Sequence, residues 1–286
     1  MRLVPACRAG LTAGRACLAD VAALAGRLGR VLLPLCDRCQ VCRGLLAGAG
    51  GGEGAWAEPG ARSGGREGEK SPVCPACAPG LAPRLGGYCP RCGAFAADAD
   101  ALPGLCLECR QNGRVWDGFA FHGRYEGLLR ELVLGFKFSG RLGQGRLLAG
   151  FLAEAWLRAA GRSGSGSMDA GAPDCLVPVP LYPRRLSWRG FNQSLELARL
   201  LGRELSRPVC AQGLVRVRNT IPQSQLPGRQ RLTNLVGAFE GQPRLVAGRH
   251  VLLIDDVMTT GATVETAARA LRLAGATRVD VAVVAR

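Results

Sequence analysis

The sequence predicts an α/β protein, a parallel sheet flanked by helices, preceded by a small cysteine-ligated module. Three observations predict it. Strand-like and helix-like segments alternate over roughly the last 170 residues of the chain, the pattern of a parallel sheet covered on both faces. Inside that stretch Val251–Ile254 is wholly apolar and runs straight into two carboxylates and a Thr/Gly loop. Upstream, nine of the thirteen cysteines fall between positions 36 and 109, most of them as CxxC pairs.

Taken in order, residues 1–35 carry Leu18, Val21, Ala22, Ala25, Leu28 and Leu32 at close to helical spacing and end at Pro34. This predicts an amphipathic N-terminal helix packed on the body of the protein. A cysteine module follows over 36–112. It is interrupted at 47–72 by a segment with nine glycines and almost no aliphatic residue, which cannot offset its ordering entropy and is expected to be a disordered insert. The third domain, 113–286, is the α/β body. Its expected strands are 117–125, 175–179, 251–254 and 278–284; its expected helices are 126–138, 145–160, 191–205 and 262–273. Residues 161–173 are expected to form a surface connection.

The formal charge of +15 would suggest a polyanion partner, but the cations are 35 Arg against two Lys, Lys70 and Lys137. That bias speaks for genome composition more than for phosphate contacts. Counting eight thiolates around two zinc ions lowers the charge to roughly +11. No stretch reaches the ~18 apolar residues of a membrane span. The most apolar N-terminal run, 16–26, is broken by Asp20 and flanked by Arg15 and Arg27, so the chain reads as cytoplasmic.

The CxxC pairs are Cys39/Cys42, Cys74/Cys77, Cys89/Cys92 and Cys106/Cys109. Each places two thiolates on one tight turn, and two pairs close a tetrahedral Zn²⁺ site. In a chain read as cytoplasmic the thiols stay reduced, so metal is favoured over disulfides. Sequential pairing (first with second, third with fourth) and interleaved pairing both remain open. So does the role of Cys36, which offers an overlapping CxxC with Cys39. Cys7, Cys17, Cys175 and Cys210 read as isolated, buried apolar cysteines.

VLLIDDVMTTGAT, 251–263, carries the chemistry. Backbone N–H groups at a helix N-terminus form a cradle for a phosphate, Thr259, Thr260 and Thr263 add hydroxyl donors, and Gly261 permits close approach. Carboxylates beside such a cradle make sense as acceptors from sugar hydroxyls or as Mg²⁺ ligands. Phosphate plus diol acceptor at the end of a parallel strand describes a ribose 5-phosphate site. His122 and His250 lack metal-type spacing and read as structural, and Asn192 reads as the cap of the following helix.

The same segment is similar to the phosphoribosyl pyrophosphate motif of type I phosphoribosyltransferases. With VPVPLYPRRLSWRGFNQS (177–194), RNTIPQ (218–223), RLTNLVGAF (231–239) and the preceding CxxC module, the chain resembles, over 36–286, the ComF family of competence proteins, which includes the GntX DNA-utilization proteins. The resemblance implies a type I phosphoribosyltransferase-like sheet behind a zinc ribbon. It implies that Asp255 and Asp256 bind ribose hydroxyls, directly or through Mg²⁺, and that Thr259, Thr260, Gly261, Ala262 and Thr263 hold the 5-phosphate. It places the backbone of Val179 and Leu181 in the pyrophosphate loop, with Arg184, Arg185 and Arg189 close behind, and makes 213–234 the loop that closes over the site. Thr259 stands where purine-salvage relatives carry an acidic residue, and 213–234 contains no Lys, Asp or Glu, so no catalytic residue is identified.

Ten Arg against Glu196 and Glu204 lie between 178 and 234, with Tyr182, Trp188 and Phe191 interleaved, a composition suited to a polyanion and to base stacking. Two functions are expected from this. One is a protein of natural transformation or DNA utilization that binds internalised single-stranded DNA, works with DNA-uptake or helicase proteins and carries a phosphoribosyl pyrophosphate pocket. The other is an active phosphoribosyltransferase on an unidentified acceptor.

Overall fold

The computed structural model describes residues 38–44, 46, 72–138, 143–162, 171–219 and 237–286. The expected helix over 1–35, Cys7, Cys17, Cys36, nearly all of the insert 47–72 and most of the expected closing loop 213–234 lie outside the described residues. The chain divides into two compact units between Cys74 and Pro75. In the first, the CQVC turn folds back on itself. Cys39 N–H donates to Gly44 O at 2.8 Å and Arg43 N–H to Cys39 O at 3.0 Å, with Arg43 in the left-handed region at φ 65°.

The second unit carries the sheet. Its described elements begin with a single 3₁₀ turn at Ala78–Leu81. Then follow α1 (Leu107–Gln111), β1 (Gly118–Gly123), α2 (Gly127–Phe138), α3 (Gln144–Arg162), β2 (Cys175–Pro178), α4 (Pro183–Arg189) and α5 (Gln193–Glu204). The chain ends with β3 (Leu214–Arg216), β4 (Phe239–Gly241), α6 (Pro243–Val246), β5 (His250–Val257), α7 (Ala262–Leu273) and β6 (Arg278–Ala285). The main sheet is wholly parallel in the order β1-β6-β5-β2, and β3 and β4 form a separate antiparallel pair.

The strands are near-continuous apolar runs because both faces are covered. Val251 and Leu253 share a core with Val279, Val281 and Val283 of β6 and with Ala267, Ala268 and Leu271 of α7. The alternate residues Leu252 and Ile254 point to the other face, where α3 and α5 supply buried Leu148, Leu152, Leu197 and Leu201. Asn192 caps α5 as expected: its Oδ1 accepts from Ser194 N–H at 3.0 Å while its Nδ2 donates to Val179 O at 3.1 Å. That second bond fixes the start of α5 to the carboxyl end of β2.

Besides the short elements α1, β3, β4 and α6, which the sequence reading did not expect, three local features depart from it. β5 runs on through Asp255 and Asp256, because Asp255 stays in register with Val283 and Val257 with Ala285. A helix, α4, follows Pro183, whose fixed φ suits a first helical turn, and it ends at Gly190 in the left-handed region at φ 83°. Cys175 and Cys210, read as isolated, are neighbours. Leu176 and Val209 form a parallel bridge, and the two thiols meet beside Arg249, whose Nη1 lies 3.6 Å from Cys210 Sγ.

Both histidines take structural places. His122 Nε2 bonds Leu81 O at 2.7 Å and its ring stacks on Phe151, and burial holds its pKa down at about 4. His250 Nε2 meets Asp280 Oδ2 at 2.8 Å. No helix among the described residues is long and apolar enough to cross a membrane.

Candidate functional site

The carboxyl ends of β2 and β5, with the start of α5 and the end of α2, enclose a cleft of about 300 Å³. Open α/β sheets bind ligands at this edge. Asp255 and Asp256 form its floor. Ser194 Oγ donates to Asp255 Oδ1 at 2.9 Å, and Asp256 N–H to the same oxygen at 3.0 Å. Val257 N–H donates to Asp256 Oδ1 at 2.7 Å. Asp256 Oδ2 is taken by Lys137 Nζ at 2.9 Å, in a pair whose side chains are 16% and 6% exposed.

Burial, and next the neighbouring Asp256, push the Asp255 carboxyl up to about 7, against the opposing pull of Lys137 and Ser194. The sign of the consequence is fixed. A carboxyl whose folded pKa lies above its unfolded value near 3.8 binds more protons folded than unfolded, so stability falls as pH rises from about 4 to about 7. Asp255→Asn is therefore expected to remove part of that decline. Urea midpoints measured between pH 5.5 and 8 check this, and an unchanged slope in the variant would reject it.

Arg185, Arg189 and Arg216 line the other side of the cleft with Lys137. Arg189 Nη1 donates to Gln193 Oε1 at 2.8 Å and its guanidinium lies over the Phe138 ring at 4.7 Å. Burial, with Arg185 nearby, pulls the Arg189 and Arg216 pKa values down. With two carboxylates against four cations, the cleft suits a ligand carrying several negative charges.

Of the expected phosphate loop, Thr263 lines the cleft, while Thr259 and Thr260 are exposed and stand outside its lining. Thr260 Oγ1 instead accepts from Ala262 N–H at 3.4 Å. Gly261 is required by its left-handed φ of 84°, since a Cβ there would make only ordinary contacts. Val179 and Leu181 line the cleft, but the Val179 N–H is committed to Ile254 O at 2.9 Å. Proline at 180 has no N–H, so Leu181 alone remains as a backbone donor in Val179–Leu181. Arg184 is exposed and does not line the cleft.

Lys137, Ser194, Gln193 and Tyr125 are cleft residues the sequence reading missed, and Arg216 comes from the expected closing loop 213–234. One signal existed for Lys137: in a chain with 35 Arg it is one of two lysines.

The cysteines gather in sequential pairs. Cys39, Cys42, Cys74 and Cys77 form one tetrad and Cys89, Cys92, Cys106 and Cys109 the other, the sulfurs of each lying within 4.8 Å of one another. The Cys42–Cys74 and Cys92–Cys106 sulfur separations are both 3.7 Å. A tetrahedron with Zn–S bonds of about 2.3 Å has an edge of about 3.8 Å, so the sulfur positions fit zinc. Burial raises the Cys39 and Cys89 thiols, but backbone N–H groups outweigh it and bring them to about 6 and about 7. Burial pushes Cys109 to about 12, so four thiolates need the charge of a metal ion. A divalent ion does not fit the Asp255–Asp256 pair in the same way, because the Lys137 ammonium already sits on Asp256.

The phosphoribosyl transferase domain family matches residues 192–286, which hold α5, β5, α7, β6 and both aspartates of the cleft. The fold is thus type I phosphoribosyltransferase-like. The chain is 36% identical over 209 residues to the DNA utilization protein YhgH of Salmonella typhimurium, covering 73% of this chain and 88% of that protein. It is 31% identical to competence protein F of Haemophilus influenzae, over 68% of this chain and 82% of that one. To competence protein ComFC of Bacillus subtilis it is 28% identical, over 70% and 77%. The chain therefore belongs to the ComF/YhgH family of competence and DNA-utilization proteins, which carries a phosphoribosyltransferase-like domain.

Proposed function

We propose that the cleft binds phosphoribosyl pyrophosphate or a related ribose 5-phosphate, and that the protein uses this pocket while handling single-stranded DNA. One observation carries the first half: paired carboxylates at the end of β5 share a cleft with Thr263 at the start of α7 and with Arg185, Arg189 and Arg216. The carboxylates accept from ribose hydroxyls, the helix start takes the 5-phosphate, and the arginines take the pyrophosphate. Mg²⁺, where it accompanies phosphoribosyl pyrophosphate, is carried on the ligand's own oxygens.

The DNA half rests on α4 and on the competence and DNA-utilization names of the relatives. Trp188 is 75% exposed there, in the same short helix as Arg184 and Arg185, which suits base stacking within a basic stretch. Partners of the DNA-uptake or helicase kind follow from that reading. So does a cytoplasmic site of action, where eight zinc-ligating thiols stay reduced.

Thermal melting tests the pocket. A ligand bound only to the folded state at 100 times its Kd stabilises it by about 2.7 kcal/mol. Phosphoribosyl pyrophosphate and ribose 5-phosphate are expected to raise Tm, and ribose alone is not. No shift with either phosphate compound overturns the pocket reading. Pyrophosphate release, measured with and without single-stranded DNA, separates binding from turnover.

A further inference from the structure

Lysine is almost absent from this chain. Against 35 arginines there are Lys70 and Lys137, and of these Lys137 alone is among the described residues. Wherever a cation merely decorates the described surface, the chain uses arginine. The position where it uses lysine is the inner wall of the cleft, in the last turn of α2, between buried Phe136 and the rim residue Phe138.

The local geometry explains the choice. Lys137 Nζ reaches Asp256 Oδ2 at 2.9 Å with only 16% of its side chain exposed. Asp256, then Asp255 and Tyr125, hold its ammonium charged despite burial. An ammonium is a compact point charge with three rotatable donors, whereas a guanidinium is a broad planar fork. Two adjacent carboxylates on one strand end repel each other and need a counter-cation. In many such sites that cation is Mg²⁺, which demands near-octahedral oxygen ligation at about 2.0–2.1 Å. Here Asp256 Oδ2 is taken by a fixed positive charge, and Asp256 Oδ1 and Asp255 Oδ1 already accept from the backbone and Ser194, so three of the four carboxylate oxygens of the pair are engaged.

We infer that Lys137 is the resident cation of the Asp255–Asp256 pair, so that ribose 5-phosphate enters this cleft without a divalent metal ion on those carboxylates. Lys137 is then a positioning residue: it holds Asp256 in place and sets the charge the sugar hydroxyls meet. The sugar-phosphate part of this statement rests on the proposed function; the metal part does not.

Two measurements test it on the full zinc-loaded chain in metal-depleted buffer without chelator. The first follows free Mn²⁺ by electron paramagnetic resonance. Wild type is expected to leave the Mn²⁺ signal unchanged. Lys137→Met is expected to take up about one Mn²⁺ per chain, and adding Asp255→Asn and Asp256→Asn to it is expected to abolish that uptake. Wild-type uptake of Mn²⁺ that Asp256→Asn removes overturns the inference, whether or not Lys137→Met folds. The second is ribose 5-phosphate affinity with and without millimolar Mg²⁺. Wild type is expected to change less than twofold. Lys137→Met is expected to lose at least tenfold without Mg²⁺ and to regain part of it with the ion, while Lys137→Arg, charged but planar, does not match wild type. A tenfold Mg²⁺ requirement in wild type overturns the inference. No ribose 5-phosphate binding under either condition rejects the pocket reading instead, and the Mn²⁺ experiment then decides alone.

Discussion

Cys89→Ser is expected to lower the zinc content by one per chain and to destabilise the whole sheet-bearing unit, not only the turn that carries it. The second tetrad is part of the main core. Cys89, Cys92 and Cys109 are buried in one cluster with Tyr88, Trp116, Phe119, Phe121 and the strands β5 and β6. Gly93, at φ +67°, follows the CPRC turn so tightly that a Cβ would stand 2.6 Å from the Phe119 ring. A structural zinc contributes about 10–16 kcal/mol of binding free energy, comparable to the whole stability of an ordinary domain at about 5–15 kcal/mol. Cys42→Ser should also cost one zinc but destabilise the sheet far less, because the cysteines of its tetrad are not part of that core cluster.

The damage should also reach the loop between β5 and α7. Arg286 Nε donates to Cys92 O at 2.9 Å, and its Nη1 donates to the carbonyls of Met258, at 3.5 Å, and Thr259. One guanidinium thus ties the CPRC turn to the loop that precedes α7. Hydrogen exchange at 258–263 is expected to quicken in Cys89→Ser under conditions where the protein is still folded. A Cys89→Ser protein one zinc short, with wild-type Tm and wild-type exchange in that loop, would show that the tetrad is peripheral.

How much of this was legible in the sequence depends on whether a feature is written locally. Val251–Ile254 is wholly apolar and 281–284 likewise, because both faces of a parallel strand are buried, so the strands could be read directly. The TTGAT loop and the helix starting at Ala262 were equally local, since Gly261 and the periodic alanines after it mark the boundary. The cysteine pairing was not. CxxC gives two ligands per turn, and only the three-dimensional course of the chain decides which turns meet. Cys175 and Cys210 looked isolated because the bridge between Leu176 and Val209 joins residues far apart in sequence. Lys137 was hidden for another reason: a cation in the last turn of a helix has an ordinary explanation in the helix dipole. Arg216 sits on the three-residue strand β3, too short to leave a pattern.

The largest effect on ligand binding is expected from the aspartates, and the choice of substitution decides whether it can be read. Removing the Asp256 charge leaves Lys137 buried without its partner, and breaking a buried ion pair costs about 3–5 kcal/mol. Asp256→Asn should therefore destabilise the protein, and Lys137→Met in the same chain should return part of the loss, because both charges are then gone. Asp255→Asn behaves differently. It removes a carboxyl that burial and Asp256 already push up to about 7, so at pH 8 it should be neutral or stabilising. Ribose 5-phosphate affinity should nonetheless fall in Asp255→Asn and more steeply in the double Asp255→Asn, Asp256→Asn variant, by about 100-fold if two charge-assisted bonds of about 1.5 kcal/mol each are lost. Inorganic phosphate should bind the double variant as well as wild type or better, since the arginines and Thr263 remain and the repulsive carboxylates do not. That divergence identifies a ribose-phosphate site rather than a general anion cleft. Equal losses for the sugar phosphate and for inorganic phosphate would mean that the aspartates support the fold of the cleft and do not touch the sugar.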